Sequence, residues 1–84
     1  MEEEVGEVFT YFSRIGVAGI RLKGTLRVGE RIHIKGSSTD FVQTVDSMQI
    51  DRKSVESAGP GAEVGIKTAE RVRKGDVVYR VVEE

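Results

Sequence analysis

Residues 17–23 read VAGIRLK, and their alternation decides the fold. Ala18, Ile20 and Leu22 fall on one face and Gly19, Arg21 and Lys23 on the other, the period of two that marks a half-buried strand with a polar, here basic, outer side. Upstream, Val5 to Phe12 is rich in valine and aromatic residues and reads as a strand, with Val8 or Phe9 heading its buried face according to register. Arg14-Ile15-Gly16 forms the turn between the two. Downstream, Gly24-Thr25 breaks the second strand, Leu26 and Val28 make a short extended link, and Gly29-Glu30 turns into Arg31–Lys35. There Ile32 and Ile34 point inward while Arg31, His33 and Lys35 point outward. A polar loop over 36–40 precedes a longer extended stretch, Phe41 to Ile50, whose two faces are both mixed, as in a strand that bends or bulges. Gly59-Pro60-Gly61 is the strongest breaker. Beyond it come a strand over 63–68 with Val64 and Ile66 inward, a charged turn through Arg71, Arg73, Lys74, Gly75 and Asp76, and a last strand from Val77 to Val82. Only Ser54 to Ala58 has room for even one helical turn. Short strands separated by regular turns predict a small antiparallel sandwich or barrel, and closure of a sheet this small removes exposed edges.

The chain is 84 residues long, 38% hydrophobic and 32% charged, with ten glycines, one proline and no cysteine. This describes one turn-rich domain over 1–84 with its core at about 5–82, and it excludes disulfide frameworks and thiolate metal sites. No apolar run approaches the length of a membrane span, and the acidic start at Glu2-Glu3-Glu4 is unlike a signal peptide, so the cytoplasm is the default expectation. The formal net charge is −1, yet five of the 14 acidic residues (Glu2, Glu3, Glu4, Glu83, Glu84) lie at the termini, leaving the body with basic residues in excess. That balance permits an anionic partner, although a mixed solvated surface is the plainer meaning.

Catalytic and cofactor chemistry is tested by elimination. His33 has no second histidine or cysteine with which to build a metal cluster or a conventional triad, and it reads as a solvated side chain on the polar face of its strand. The glycines at 19 and 24 share the spacing of a phosphate loop, but Thr25 stands where lysine is required and the segment is a strand. Residues 59–65 miss the dinucleotide-binding spacing by one and open no helix. Asp46 and Asp51 read as solvated carboxylates. No cofactor, metal or nucleotide is implied, and no enzyme.

The stretch TVDSMQIDRKSVESAGPGAEVGIKTAERVRKGDVVYRV at 44–81, with GEVFTYFSRIGVAGIRLKGTLRVGERIHIKG at 6–36, resembles domain 2 of the translational GTPases such as elongation factor Tu. The resemblance runs from about Val5 to Val82 and rests on the order and spacing of the elements, including the L-x-V-G-[DE] turn at Leu26 to Glu30. The segments IHIKG-x-x-TDF and SMQI are shared more closely with stand-alone translation-factor-like proteins and with the C-terminal barrel of the collagenase-like peptidase family. The resemblance implies a small closed six-stranded Greek-key barrel, with Gly24, Gly29 and Gly75 in turns suited to positive φ and Gly65 permitting close strand approach. In elongation factors an acidic residue lies against the terminal adenine of tRNA; this chain carries the neutral amide of Gln49 at that position.

Without a GTPase domain, the resemblance implies a non-catalytic binding module. The first expectation is contact with RNA (tRNA or ribosome) or a translation-related complex, through Arg31, Lys35, Gln49, Arg52, Lys53, Arg71, Arg73 and Lys74. The alternative is a protein-docking module for a partner enzyme or factor, without RNA contact. Phe9, Tyr11 and Phe12 are candidates for base stacking if exposed, with core packing the expectation for Phe12 and Phe41. The oligomeric state is not written in the sequence.

Overall fold

The computed structural model describes residues 2–82. Ten short strands run in chain order: β1 (Glu2–Phe12), β2 (Val17–Leu22), β3 (Leu26–Arg27), β4 (Arg31–Lys35), β5 (Asp40–Thr44), β6 (Met48–Ile50), β7 (Lys53–Val55), β8 (Ser57–Ala58), β9 (Glu63–Lys67) and β10 (Val77–Val81). Every pairing is antiparallel, and no helix occurs among the described residues. Eight strands form one sheet in the order β5-β4-β10-β1-β2-β9-β6-β7, while β3 and β8 make a separate two-stranded ladder. The domain is thus all-β, as the alternation predicted.

The core follows from that alternation. Ala18, Ile20 and Leu22 of β2, Ile32 and Ile34 of β4, Val64 and Ile66 of β9 and Val78 of β10 are all almost completely buried, and they meet Met48, Val45, Leu26 and Val72 in a single cluster. Each such side chain contributes roughly 1.5–3 kcal/mol on burial.

The structure corrects the sequence at four places. First, the stretch from Phe41 to Ile50 is two strands, because the chain dives inward at Val45. That residue is fully buried; its N–H donates to Glu30 O at 2.9 Å and its carbonyl accepts from Gly29 N at 2.8 Å. Second, 54–58 is extended, divided between β7 and β8. Third, the ladders do not close the expected six-strand barrel: β5 and β7 stand at the two ends of the sheet order. The sheet curls far enough, however, for the Gln43 side chain on β5 to reach the end of β9. Its Nε2 donates to Lys67 O at 2.9 Å and its Oε1 accepts from Ala69 N at 2.7 Å. A side-chain amide takes the place of a peptide group in a ladder. Fourth, Gly29 and Gly75 do adopt positive φ, at 97° and 96°, but Gly24 does not.

Two local irregularities shape the outer surface. β1 carries a bulge against β2 between Val8, paired with Ile20, and Thr10, paired with Gly19. Phe9 is the extra residue, so Val8 faces the core while Phe9 is turned outward. The β6–β7 hairpin closes through Asp51 and Arg52, both at positive φ (52° and 66°), as a two-residue type I′ turn requires.

Candidate functional site

The bulge builds a cleft. Phe9 lies over Gly19, where an added Cβ would approach the Phe9 ring to 3.0 Å and Thr10 Cγ2 to 2.6 Å. Gly19 pairs with Gly65, and Gly65 pairs with Gln49, so two neighbouring strands lack side chains on this strip and the backbone forms a floor. The resulting depression is about 520 Å³, bounded by Phe9, Phe12, Ile15 and Val17 on one side and by Gln49, Asp51 and Arg52 on the other. Phe12 is 53% exposed and Ile15 62%. The half-buried Phe9 ring is covered by Arg21, whose guanidinium lies 5.3 Å from the ring centroid and pairs with Glu63 at 2.7 Å, an arrangement that restrains the aromatic.

A second depression adjoins the first, lined by Phe9, Thr10 and Tyr11 of β1 and by Arg71, Val72, Arg73 and Lys74. The loop that carries these cations is anchored rather than loose. Val72 is buried, Gly75 N donates to Val8 O and Val8 N to Asp76 O, both at 2.8 Å, and the buried Asp76 carboxylate accepts from Arg73 N at 2.8 Å. Lys74 and Phe9 also border a third depression with Lys23 and Gly61. Phe9 is therefore common to all three.

The residues singled out from the sequence are divided by the fold. Gln49 and Arg52 reach the first cleft, and Arg71, Arg73 and Lys74 reach the second. Arg31 and Lys35 are on β4, separated from β1 by β10, and Lys35 lies over the Tyr79 ring at 5.8 Å. Lys53 is exposed on β7 at the far end of the sheet. Lys35 nevertheless pairs with Val77, directly after the loop that carries Arg71, Arg73 and Lys74. Phe41 is buried as expected, but Phe12 is not a core residue: the bulge shifts the alternation of β1, so Tyr11 packs against the core and Phe12 faces out. Ile15 was legible in principle, because a large aliphatic inside the turn Arg14-Ile15-Gly16 has no strand face on which to hide.

His33 also departs from the solvated reading. Its side chain is only 16% exposed, with Nδ1 2.5 Å from Glu2 Oε2 and Nε2 bonded to Asp40 Oδ1. The two carboxylates, Asp40 foremost, hold the imidazole pKa above its ordinary value, and the same contact lowers that of Asp40. Both ring nitrogens are directed at separate carboxylates, so this group is an ionic clasp between β1, β4 and β5. Among the described residues no group of three histidine, cysteine or carboxylate side chains is arranged to hold a metal ion.

No protein-family model matches the chain. It is similar to an uncharacterized protease of Methanocaldococcus jannaschii, with 42% identity over 81 residues that cover 95% of this chain and 20% of the relative. It is also similar to a collagenase of Porphyromonas gingivalis, with 37% identity over 78 residues, 90% of this chain and 22% of the relative. The chain thus spans about a fifth of the length of these relatives. Among solved structures, the C-terminal domain of a Geobacillus thermoleovorans protein described as a U32 peptidase superposes with a TM-score of 0.89 at 18% identity, covering 95% of this chain and 93% of that domain. Its selenomethionine variant gives 0.86 at 19% identity, covering 90% and 96%. These likenesses establish the fold. They agree with the resemblance to the collagenase-like peptidase barrel and overturn the reading as an RNA-contacting translation module: the similarity points to a peptidase-associated domain.

Proposed function

We propose that this chain is a non-catalytic docking module, equivalent to the small β domain found within longer protease and collagenase relatives, and that it holds a partner polypeptide on the cleft around Phe9. The observation that carries this reading is the pair Phe12 and Ile15, two large apolar side chains more than half exposed on the rim of one cleft. Exposed apolar groups beside a preformed groove gain most from being covered; burying each side chain in a complex is worth up to roughly 1.5–3 kcal/mol. The curled sheet, clasped by Gln43, serves as a barrel-like frame for that surface.

The test uses the M. jannaschii relative with its matching 81 residues removed, mixed in trans with this chain. The expected result is a complex by calorimetry that Phe12→Ser with Ile15→Ser abolishes while Tm is unchanged, since neither side chain belongs to the core. Failure to form any complex, or a complex indifferent to the double substitution, would remove the docking role.

A further inference from the structure

Resting on the docking reading, we infer that the cleft recognises an acidic segment of its partner, one in which carboxylates flank an apolar anchor. The charges around the cleft are only partly matched within the chain. Two cations beside the cleft are matched within the chain, Lys23 by Glu4 at 2.5 Å and Arg21 by Glu63, as is Arg80 by Glu3 farther away. Four further cations bordering these depressions are not matched. Among the described residues, Arg52, Arg71, Arg73 and Lys74 have no ion pair, although Glu7 and Asp51 are on the same surface. Glu63, the remaining carboxylate at the cleft, is already engaged by Arg21.

Arg52 makes the point most directly. It occupies the second position of the β6–β7 turn at φ 66°, a conformation that disfavours any side chain and suits glycine. A long cation is nonetheless held there, at the rim of the groove. Across the groove, the hydrogen bonds from Arg73 N to the Asp76 carboxylate and from Gly75 N to Val8 O fix the loop bearing Arg73 and Lys74. The apolar strip of Phe9, Phe12 and Ile15 runs between these two cationic margins. An anchor residue seated on the glycine floor would carry neighbouring carboxylates to either margin, within charge-assisted hydrogen-bonding range. A uniform polyanion fits less well, because the middle of the surface is apolar.

The experiment is fluorescence anisotropy with a labelled peptide of glutamates interrupted by leucines, its lysine counterpart, and single-stranded RNA. The acidic peptide should bind about tenfold or more tighter than the basic one, weaken as salt is raised, and lose about tenfold on Arg73→Glu with Lys74→Glu and again on Phe12→Ser. Equal binding of the two peptides, while the truncated relative still forms its Phe12-dependent complex, would overturn the acidic assignment and leave docking intact; failure of both would remove docking as well. RNA binding as tight as that of the acidic peptide would assign the surface to polyanions. Concentration-dependent dimerisation abolished by Phe12→Ser would assign it to a second copy. Either result overturns the inference.

Discussion

The two sides of β1 differ in what they leave uncovered. Toward β10, β4 and β5, cations and carboxylates are brought together: His33 sits between Glu2 and Asp40, Arg80 pairs with Glu3, lies 3.7 Å from Glu30 and donates to Thr25 O, and Lys35 covers the Tyr79 ring. Toward β2, β9 and β6, Arg21 and Lys23 are likewise paired, with Glu63 and Glu4, but Phe12 and Ile15 are left uncovered beside Arg52, which has no ion pair among the described residues. Exposed ion pairs add little to stability, so the first side is better understood as neutralised than as reinforced. The second side is unfinished within the chain itself. Similar residues in similar strands thus acquire different meanings from what the neighbouring strand places opposite them.

This contrast can be broken most severely where the two sides meet. Gly36 ends the β4 region, and an added Cβ there would lie 1.9 Å from Asp76 Oδ1, in a buried side chain that also fixes the Arg73 backbone. Gly36→Ala should destabilise the domain by about 1–3 kcal/mol in urea unfolding, the range for forced overpacking, and weaken docking by displacing the cationic loop. An unchanged midpoint would show that Asp76 is free to move aside and that the two sides are independent. Arg52→Gly should sharpen the contrast in the other direction. Removing a side chain from the left-handed conformation should stabilise the protein by about 0.5–1 kcal/mol while weakening acidic-peptide binding; a variant that loses stability would mean that the turn holds Arg52 without strain. The smallest effect concerns the clasp. Because the folded-state pKa of His33 is raised, its contribution is fully present below the ordinary value of 6.5 and is lost as pH rises through the folded value. The lowered pKa of Asp40 makes that contribution fade again in acid, below the ordinary 3.8. The Tm gap between the natural chain and His33→Gln should therefore be widest between these limits and narrow toward alkaline pH. A gap independent of pH would show that the imidazole acts by packing alone.

The strands were legible because alternation is a local property: β2, β4 and β9 bury the residues their period selects, Ile20, Ile32 and Val64 among them. The cleft was only half legible. Arg52 and Lys74 are visible as charged turn residues, but Phe12 changes face through a bulge that inserts one residue into β1, and a single sequence offers Val8 and Phe9 as equal starting points for the alternation. The break at Val45 was hidden for a related reason, since a valine within an extended run gives no sign that its N–H and carbonyl will turn to Glu30 and Gly29. That β5 and β7 would end the sheet, with Gln43 bridging toward β9, was beyond reach, because it depends on one side chain meeting a distant backbone.

That Gln43 clasp gives the domain a seam. Parting β5 from the segment after β9 breaks no backbone ladder, only the two side-chain bonds to Lys67 and Ala69, each worth about 0.5–1.5 kcal/mol. A gaping form would keep every strand pairing while admitting water beside Thr68, whose buried hydroxyl has no hydrogen-bond partner. The amide of Ala69 would exchange with solvent well before those of the neighbouring strands. The molecule would then breathe along one line on its surface without unfolding.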